Sequence, residues 1–354
     1  KFMNVPGLAM DSQNRFETYS NFSHSRRSFL SSTIAATLGI PTFHITASES
    51  QDIPKAQIAI TFDLEMSRQY PKREMMEWDF QKGNLNPETK TYSLKAAKIA
   101  SGLNGTIHYF CVGRVLEQEN VQWLKTISRL GHPIGNHTYD HVNVWATAPE
   151  KTQFRFQRSP WLLGGKSADQ VIRQNIRLTT DAMKQRLNIS PDGFRTPGGS
   201  STALDDREDL QKMFLAEGFS WVSSKYPRHE YSPPNTEPDH EIYQSILSAQ
   251  KEAQPYVYPS GLVEIPMSPI SDVGAFRTSQ WKLKYFLKSV ELCIQQAIEQ
   301  GGVFDFLCHP SIMYIEDPQF ETIKLICKLV NQSGGRAELV GLGDIAKRVP
   351  RKQS

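Results

Sequence analysis

Cysteine is scarce in this chain, with four residues, Cys111, Cys293, Cys308 and Cys327, among 354. They are too few and too scattered for a disulfide framework, and without a CxxC pair they do not form a thiolate metal site, so they read as buried thiols. Blocks of like charge are missing as well. Lys+Arg 40 against Asp+Glu 37 leaves a net charge of +3, which lacks the electrostatic footprint of a nucleic-acid binder. No GxGxxG follows the first strand pattern, which argues against a dinucleotide site. No repeat or low-complexity stretch interrupts the chain after residue 56. What is present is 39% hydrophobic and 22% charged residues, the composition of a globular protein.

Residues 1–50 differ from the rest, being rich in Ser, Thr and Asn and poor in acids. They contain Ser25, Arg26, Arg27, Ser28, Phe29 and Leu30, and this SRRSFL string resembles a twin-arginine export signal. Behind it, residues 31–47 are weakly apolar and broken by Gly39 and Pro41. That stretch is too short and too polar to span roughly 30 Å of hydrocarbon, so it reads as the apolar part of a signal and not as a transmembrane anchor. The expectation is an exported, periplasmic or cell-envelope protein that meets the twin-arginine export machinery, with a tail over 1–50 and a catalytic unit over 51–350.

From Gln57 onward, short apolar runs alternate with longer patterned segments, which argues for strand and helix units around a parallel sheet. Strands are expected over 57–62, 105–112, 133–136, 193–195, 219–223, 262–265, 303–307 and 337–340. Helices are expected over 87–101, 120–130, 168–187, 205–217, 279–300 and 320–331, with a Pro-rich loop at 226–238. Seven or eight strand–helix pairs make a closed or nearly closed (β/α) barrel the economical architecture, with an open doubly wound sheet as the alternative. In a barrel, reactive groups belong at the C-terminal ends of the strands.

Asp63 and Glu65 follow the first strand in TFDLE. Two residues apart on extended backbone, their carboxylates point the same way. His137 and His141 form HTYDH after the third strand, and on a helical turn that spacing of four puts both imidazoles on one face. Two histidines and one carboxylate make a three-ligand set with an open position, the arrangement of a catalytic zinc site. Either Glu65 or Asp63 fits as the third ligand, leaving the other as a base. Arg195, in FRTPGG at a strand end, is placed to orient an ionised carboxylate. His309, in FLCHP after a later strand, can face the same centre and donate a proton to a leaving group.

With these residues in view, the chain resembles the polysaccharide deacetylases of the NodB-homology class, carbohydrate esterase family 4. The resemblance covers nearly all of 56–345 and is densest in GTIHYFCVG and RLGHPIGNHTYDH. It implies a distorted (β/α) barrel with one divalent metal, commonly zinc, that removes N-acetyl groups from an amino-sugar polymer. By position it implies His137 and His141 as metal ligands, Asp63 as general base, Arg195 as the residue holding that base, and His309 as general acid. The common first motif is TFDDG, whereas Leu64 stands here in place of the second Asp. Glu65, one residue further on, fits a branch with a D-x-E motif, which includes relatives that hydrolyse cyclic imides or allantoin. Where many members carry an Asp and Trp supporting the acid histidine, this chain has Ser223, Ser224 and Lys225. Asp272 in SPISDVGAF is the candidate replacement.

Two other functions stay open on the same barrel: a cyclic imide or allantoin-type amide hydrolase, and a non-catalytic carbohydrate-binding relative. Trp145, Phe154, Phe156 and Trp161 lie among Arg155, Arg158 and Lys166 on the loop before Arg195. Like Trp78 and Asp79, they either line a sugar groove or pack the loop onto its own barrel.

Overall fold

A computed structural model describes residues 53–350; the SRRSFL segment lies outside them. The first strand, β1 (Ala56–Leu64), has only Gln57 less than fully buried. A run that is apolar on both faces suits a strand covered from both sides. It pairs in parallel with β8 (Val303–Cys308) on one edge. Its other edge takes β9 (Ala337–Leu339) at the start of the strand and β2 (Ile107–Cys111) toward the end. The sheet continues from β2 through β3 (Ile134–Asn136), β4 (Phe194–Ser200), β5 (Trp221–Lys225) and β7 (Val263–Glu264) to β6 (Tyr256–Val257). Only the β6–β7 pairing is antiparallel. The result is an α/β fold with a curled, mostly parallel sheet forming a half-barrel. Among the described residues its edge strands are β6 and β8, which do not pair with each other, while the segment after β7 reaches β8 through the Ser268 amide, which donates to the Asp305 carbonyl at 2.9 Å.

Helices connect and cover the strands: α1 (Pro87–Gly102), α2 (Gln122–Arg129), α3 (Phe154–Arg158), α4 (Ala168–Leu187), α5 (Glu208–Ala216), α6 (His240–Glu252), α7 (Leu283–Gln300), α8 (Pro310–Glu316), α9 (Glu321–Asn331) and α10 (Leu342–Arg348). Their starts follow from local chemistry. Asn86 caps α1 by accepting from the Thr89 amide, with Pro87 at the first helical position, where its missing N–H is no loss. Ser167 and Gln170 form a reciprocal capping box on α4. No helix among the described residues is long and apolar enough to cross a membrane. All four cysteines are free and buried, as their scatter suggests.

The structure adds elements that the sequence pattern does not reveal. Helix α6 follows the Pro-rich loop, a π-helix spans Val273–Thr278, and α8 and α10 follow β8 and β9. β4 is also longer than the expected 193–195. It runs on to Ser200, but its pairing with β5 breaks between Arg195 and Ser200. Proline and glycine at 197–199 supply little strand signal, because Pro197 lacks a donor and the glycines lack side chains to pack. Arg195 therefore sits near the start of β4 instead of at a strand end.

Candidate metal centre and active site

Asp63 is the penultimate residue of β1, and Glu65 follows in a tight turn closed by its amide on the Asp63 carbonyl at 3.0 Å. Both carboxylates are buried. His137 comes directly after β3, and the loop to His141 is not a helical turn. Thr138 and His141 both take left-handed backbone, with φ of 58° and 55°. Local side chains explain the departure. Asn136 Oδ1 accepts from the Thr138 amide at 2.9 Å, and Thr138 Oγ1 accepts from the Val142 amide at 2.9 Å. These bonds offer the backbone an alternative to helix. The loop is also docked on the end of β2, since Gly113 donates to the Thr138 carbonyl at 2.9 Å. A side chain at Gly113 would collide with Tyr139 and Thr179. The two imidazoles still meet, with ring centroids 5.0 Å apart.

One ligand atom from each of Glu65, His137 and His141 lies within 4.8 Å of the others. His141 Nε2 touches Glu65 Oε2, and His137 Nε2 lies 3.6 Å from the same oxygen and 3.7 Å from Asp63 Oδ2. His137 Nδ1 donates to the Arg195 carbonyl at 2.9 Å. In the neutral ring that bond leaves Nε2 as a lone pair facing two carboxylates. Neither His137 Nε2 nor Glu65 Oε2 has a hydrogen-bond partner among the described residues. Buried acceptors pointed at one another cost free energy unless something positive lies between them. Protonation also suits metal binding. Burial would raise the Glu65 carboxyl, but His141, Lys82 and His137 hold it well below its usual value. Burial pushes His141 down, against the pull of Glu65. An ionised Glu65 carboxylate beside a His141 imidazole held toward its neutral form is the state in which such groups bind a divalent cation, so the donor set fits one.

Arg195 is fully buried and ties Asp63 into its surroundings. It donates from Nη1 to Asp63 Oδ1 at 3.2 Å and to Thr61 Oγ1 at 2.7 Å, from Nη2 to Asp305 Oδ2, and from Nε to Ser223 Oγ at 3.3 Å. Its guanidinium stacks on Phe110 at 4.4 Å. Burial pushes the Asp305 carboxyl up to about 6 even with Arg195 alongside. His309, after β8, places Nε2 3.7 Å from Glu65 Oε1, and Asp272 Oδ1 holds its Nδ1 at 2.9 Å. Asp272 also accepts from the His309 amide. Burial works against the charged imidazole, but Asp272, Glu65 and Asp63 outweigh it and raise its pKa.

All six residues singled out from the sequence therefore converge, and five of them line a cavity of about 260 Å³; Arg195 lies behind Asp63. Asp305 and Lys82 also join the site. Asp305 carried a signal, being a lone acid inside the apolar run of β8. Lys82 carried none: the loop after β1 brings its Nζ to 3.3 Å from Glu65 Oε1. Among the aromatics, Phe156 is core and Trp145 Nε1 donates to the Ala203 carbonyl, whereas Phe154 and Trp161 are exposed. Asp79 pairs with Arg68 at 2.8 Å.

Comparison with known proteins accords with this geometry. The family profile for polysaccharide deacetylase matches residues 50–213, the stretch that supplies Asp63, Glu65, both histidines and Arg195. Over that stretch the chain is similar to the polysaccharide deacetylase family. Solved structures share the fold of this chain. A protein of Mycobacterium smegmatis described as a polysaccharide deacetylase is 15% identical over 86% of this chain and 95% of its own, with a TM-score of 0.52. One of Pseudomonas aeruginosa PAO1, described likewise, is 12% identical over 82% and 89%, with a TM-score of 0.54. The PuuE allantoinase is 12% identical over 84% and 91%, with a TM-score of 0.51. At such identities the likeness shows the fold alone. No curated protein matches the chain.

Proposed function

We propose that this protein is a metal-assisted hydrolase that removes N-acetyl groups from an amino-sugar polymer such as peptidoglycan. The observation carrying the proposal is the buried convergence of Glu65, His137 and His141, whose ligand atoms lie within 4.8 Å of one another, with Asp63 beside His137 Nε2 and His309 beside Glu65 Oε1. Glu65, His137 and His141 would hold one divalent cation, with zinc favoured by the nitrogen-rich donor set. Such a cation supplies a Lewis acid that polarises an amide carbonyl and makes water more acidic.

The chain's own residues do the rest. Asp63, fixed in direction by Arg195, takes the proton of the attacking water. His309, kept protonated by Asp272, gives a proton to the departing amine, so that the C–N bond breaks to a neutral leaving group. Arg195 acts through Asp63 and is a positioning residue. The SRRSFL segment supports export of the protein to the periplasm or cell envelope.

The test is acetate release from peptidoglycan and chitin oligomers, with a cyclic imide as the contrasting substrate, under chelation and metal add-back. The wild type should release acetate only when metal-loaded. Asp63→Asn should lose roughly 10²- to 10⁴-fold in kcat while keeping its metal content by elemental analysis. Normal turnover by that variant, or turnover of the cyclic imide alone, would overturn the assignment.

A further inference from the structure

Beside the 260 Å³ cavity lies a second one of about 470 Å³. Lys82, His141, Gly198 and Arg277 line both, so whatever reaches the reacting centre continues along a shared wall. The charge of the second cavity is one-sided. Arg68, Lys82, Lys151 and Arg277 face it, against Asp79 as its single carboxylate. Two of these cations are already matched, Arg68 by Asp79 and Lys82 by Glu65. Lys151 and Arg277 have no acid within ion-pair distance among the described residues. Such an excess stands out in a chain whose whole net charge is only +3.

Arg277 is positioned, not loose. It is half-buried on the π-helix Val273–Thr278, which follows directly from Asp272, the partner of His309. Its Nη1 donates to Ser67 Oγ at 3.3 Å, and its carbonyl accepts from Arg73. That leaves most of a planar, five-donor fork unused and aimed along the cavity wall, a geometry that matches a carboxylate. Asn143, Gln153 and Gln157 add neutral polar groups suited to hydroxyls.

We infer that the substrate carries a carboxylate on the sugar adjoining the one that is deacetylated, and that Arg277, assisted by Lys151, selects for it. This rests on the deacetylase reading and narrows it from amino-sugar polymers in general to acidic ones. The carboxylate can belong to an ether-linked lactyl group or to a uronic acid ring; both present the same charge to the fork.

The test separates binding from turnover. Calorimetric binding to metal-loaded Asp63→Asn would compare neutral chitin oligomers, peptidoglycan glycan strands bearing lactyl carboxylates, and alternating N-acetylglucosamine–glucuronate oligomers. At least one acidic ligand should bind roughly tenfold or more tightly than the neutral one, and the advantage should shrink as salt rises. The acidic ligand that binds tightly identifies the source of the carboxylate. In the otherwise wild-type enzyme, Arg277→Gln should raise KM for that substrate roughly tenfold and leave kcat and the neutral substrate little changed. Lys151→Gln, at an exposed position, should act in the same direction without risk to folding. Equal binding of acidic and neutral oligomers, or equal losses on both in the two variants, would overturn the inference and leave the deacetylase reading standing. Selective acidic binding without acetate release from any substrate would uphold the subsite and overturn the reading.

Discussion

At the scale of single residues, the site is organised by what each polar atom faces. His137 has one nitrogen committed to the Arg195 carbonyl and the other turned to the carboxylates, so a backbone bond from β4 sets the role of a ring on the loop after β3. Arg195 is held from β1, β5 and β8 at once, and lysine could not reproduce that fork. His309 depends on Asp272 in the same way. Its raised pKa keeps the acid form present at higher pH and loses it as pH rises through that value. Replacing Asp272 with Asn removes the nearest negative charge and lowers the pKa. The alkaline limb of the rate–pH profile of the metal-loaded enzyme should therefore move to lower pH. An unmoved limb would separate Asp272 from the acid function.

At the scale of elements, strand ends carry the residues of the proposed chemistry. Asp63, His137 and His309 stand at or just beyond the C-terminal ends of β1, β3 and β8, as expected where parallel strands point their loops to one side. Other features serve register and packing. Glu264 on β7 accepts from the amides of Ser224 and Lys225 and from the hydroxyls of Ser224 and Tyr258, so a buried carboxylate fastens the end of β5 to its neighbour. Gly193, before β4, has φ of 75°, and a Cβ there would lie 1.9 Å from Trp221. Gly193→Ala should cost about 2–4 kcal/mol, read as a lower urea midpoint with an unchanged slope. An unaltered midpoint would mean that Trp221 does not pack against this glycine as described.

At the scale of the molecule, the proposed metal site joins distant parts of one sheet. Glu65 comes from the end of β1 and the two histidines from the loop after β3, with β2 between them. The three donors meet only in the folded chain, so a bound cation should stabilise the folded state by mass action, about 2.7 kcal/mol at a hundredfold excess over Kd. The midpoint of thermal unfolding should rise with added zinc and fall on chelation. Substituting His141 with Ala should abolish most of that response. A midpoint indifferent to metal and chelator would argue against the ligand set.

Much of this is legible in the sequence itself. β1 and α4 were readable because a fully buried parallel strand is a continuous apolar run and a capped amphipathic helix repeats every 3.6 residues. Asp63, Glu65, His137, His141, Arg195 and His309 were identifiable because reactive side chains follow apolar strands in short polar strings. The helical turn expected at HTYDH was wrong because the Asn136 and Thr138 side chains bend the backbone in a way that spacing does not encode. Asp305, Lys82 and the half-open barrel were decided by tertiary structure. Local patterning depends on residues a few positions apart, whereas pairing a buried acid with Arg195, swinging Lys82 onto Glu65, and leaving the edge strands β6 and β8 unpaired depend on contacts between segments far apart in the chain.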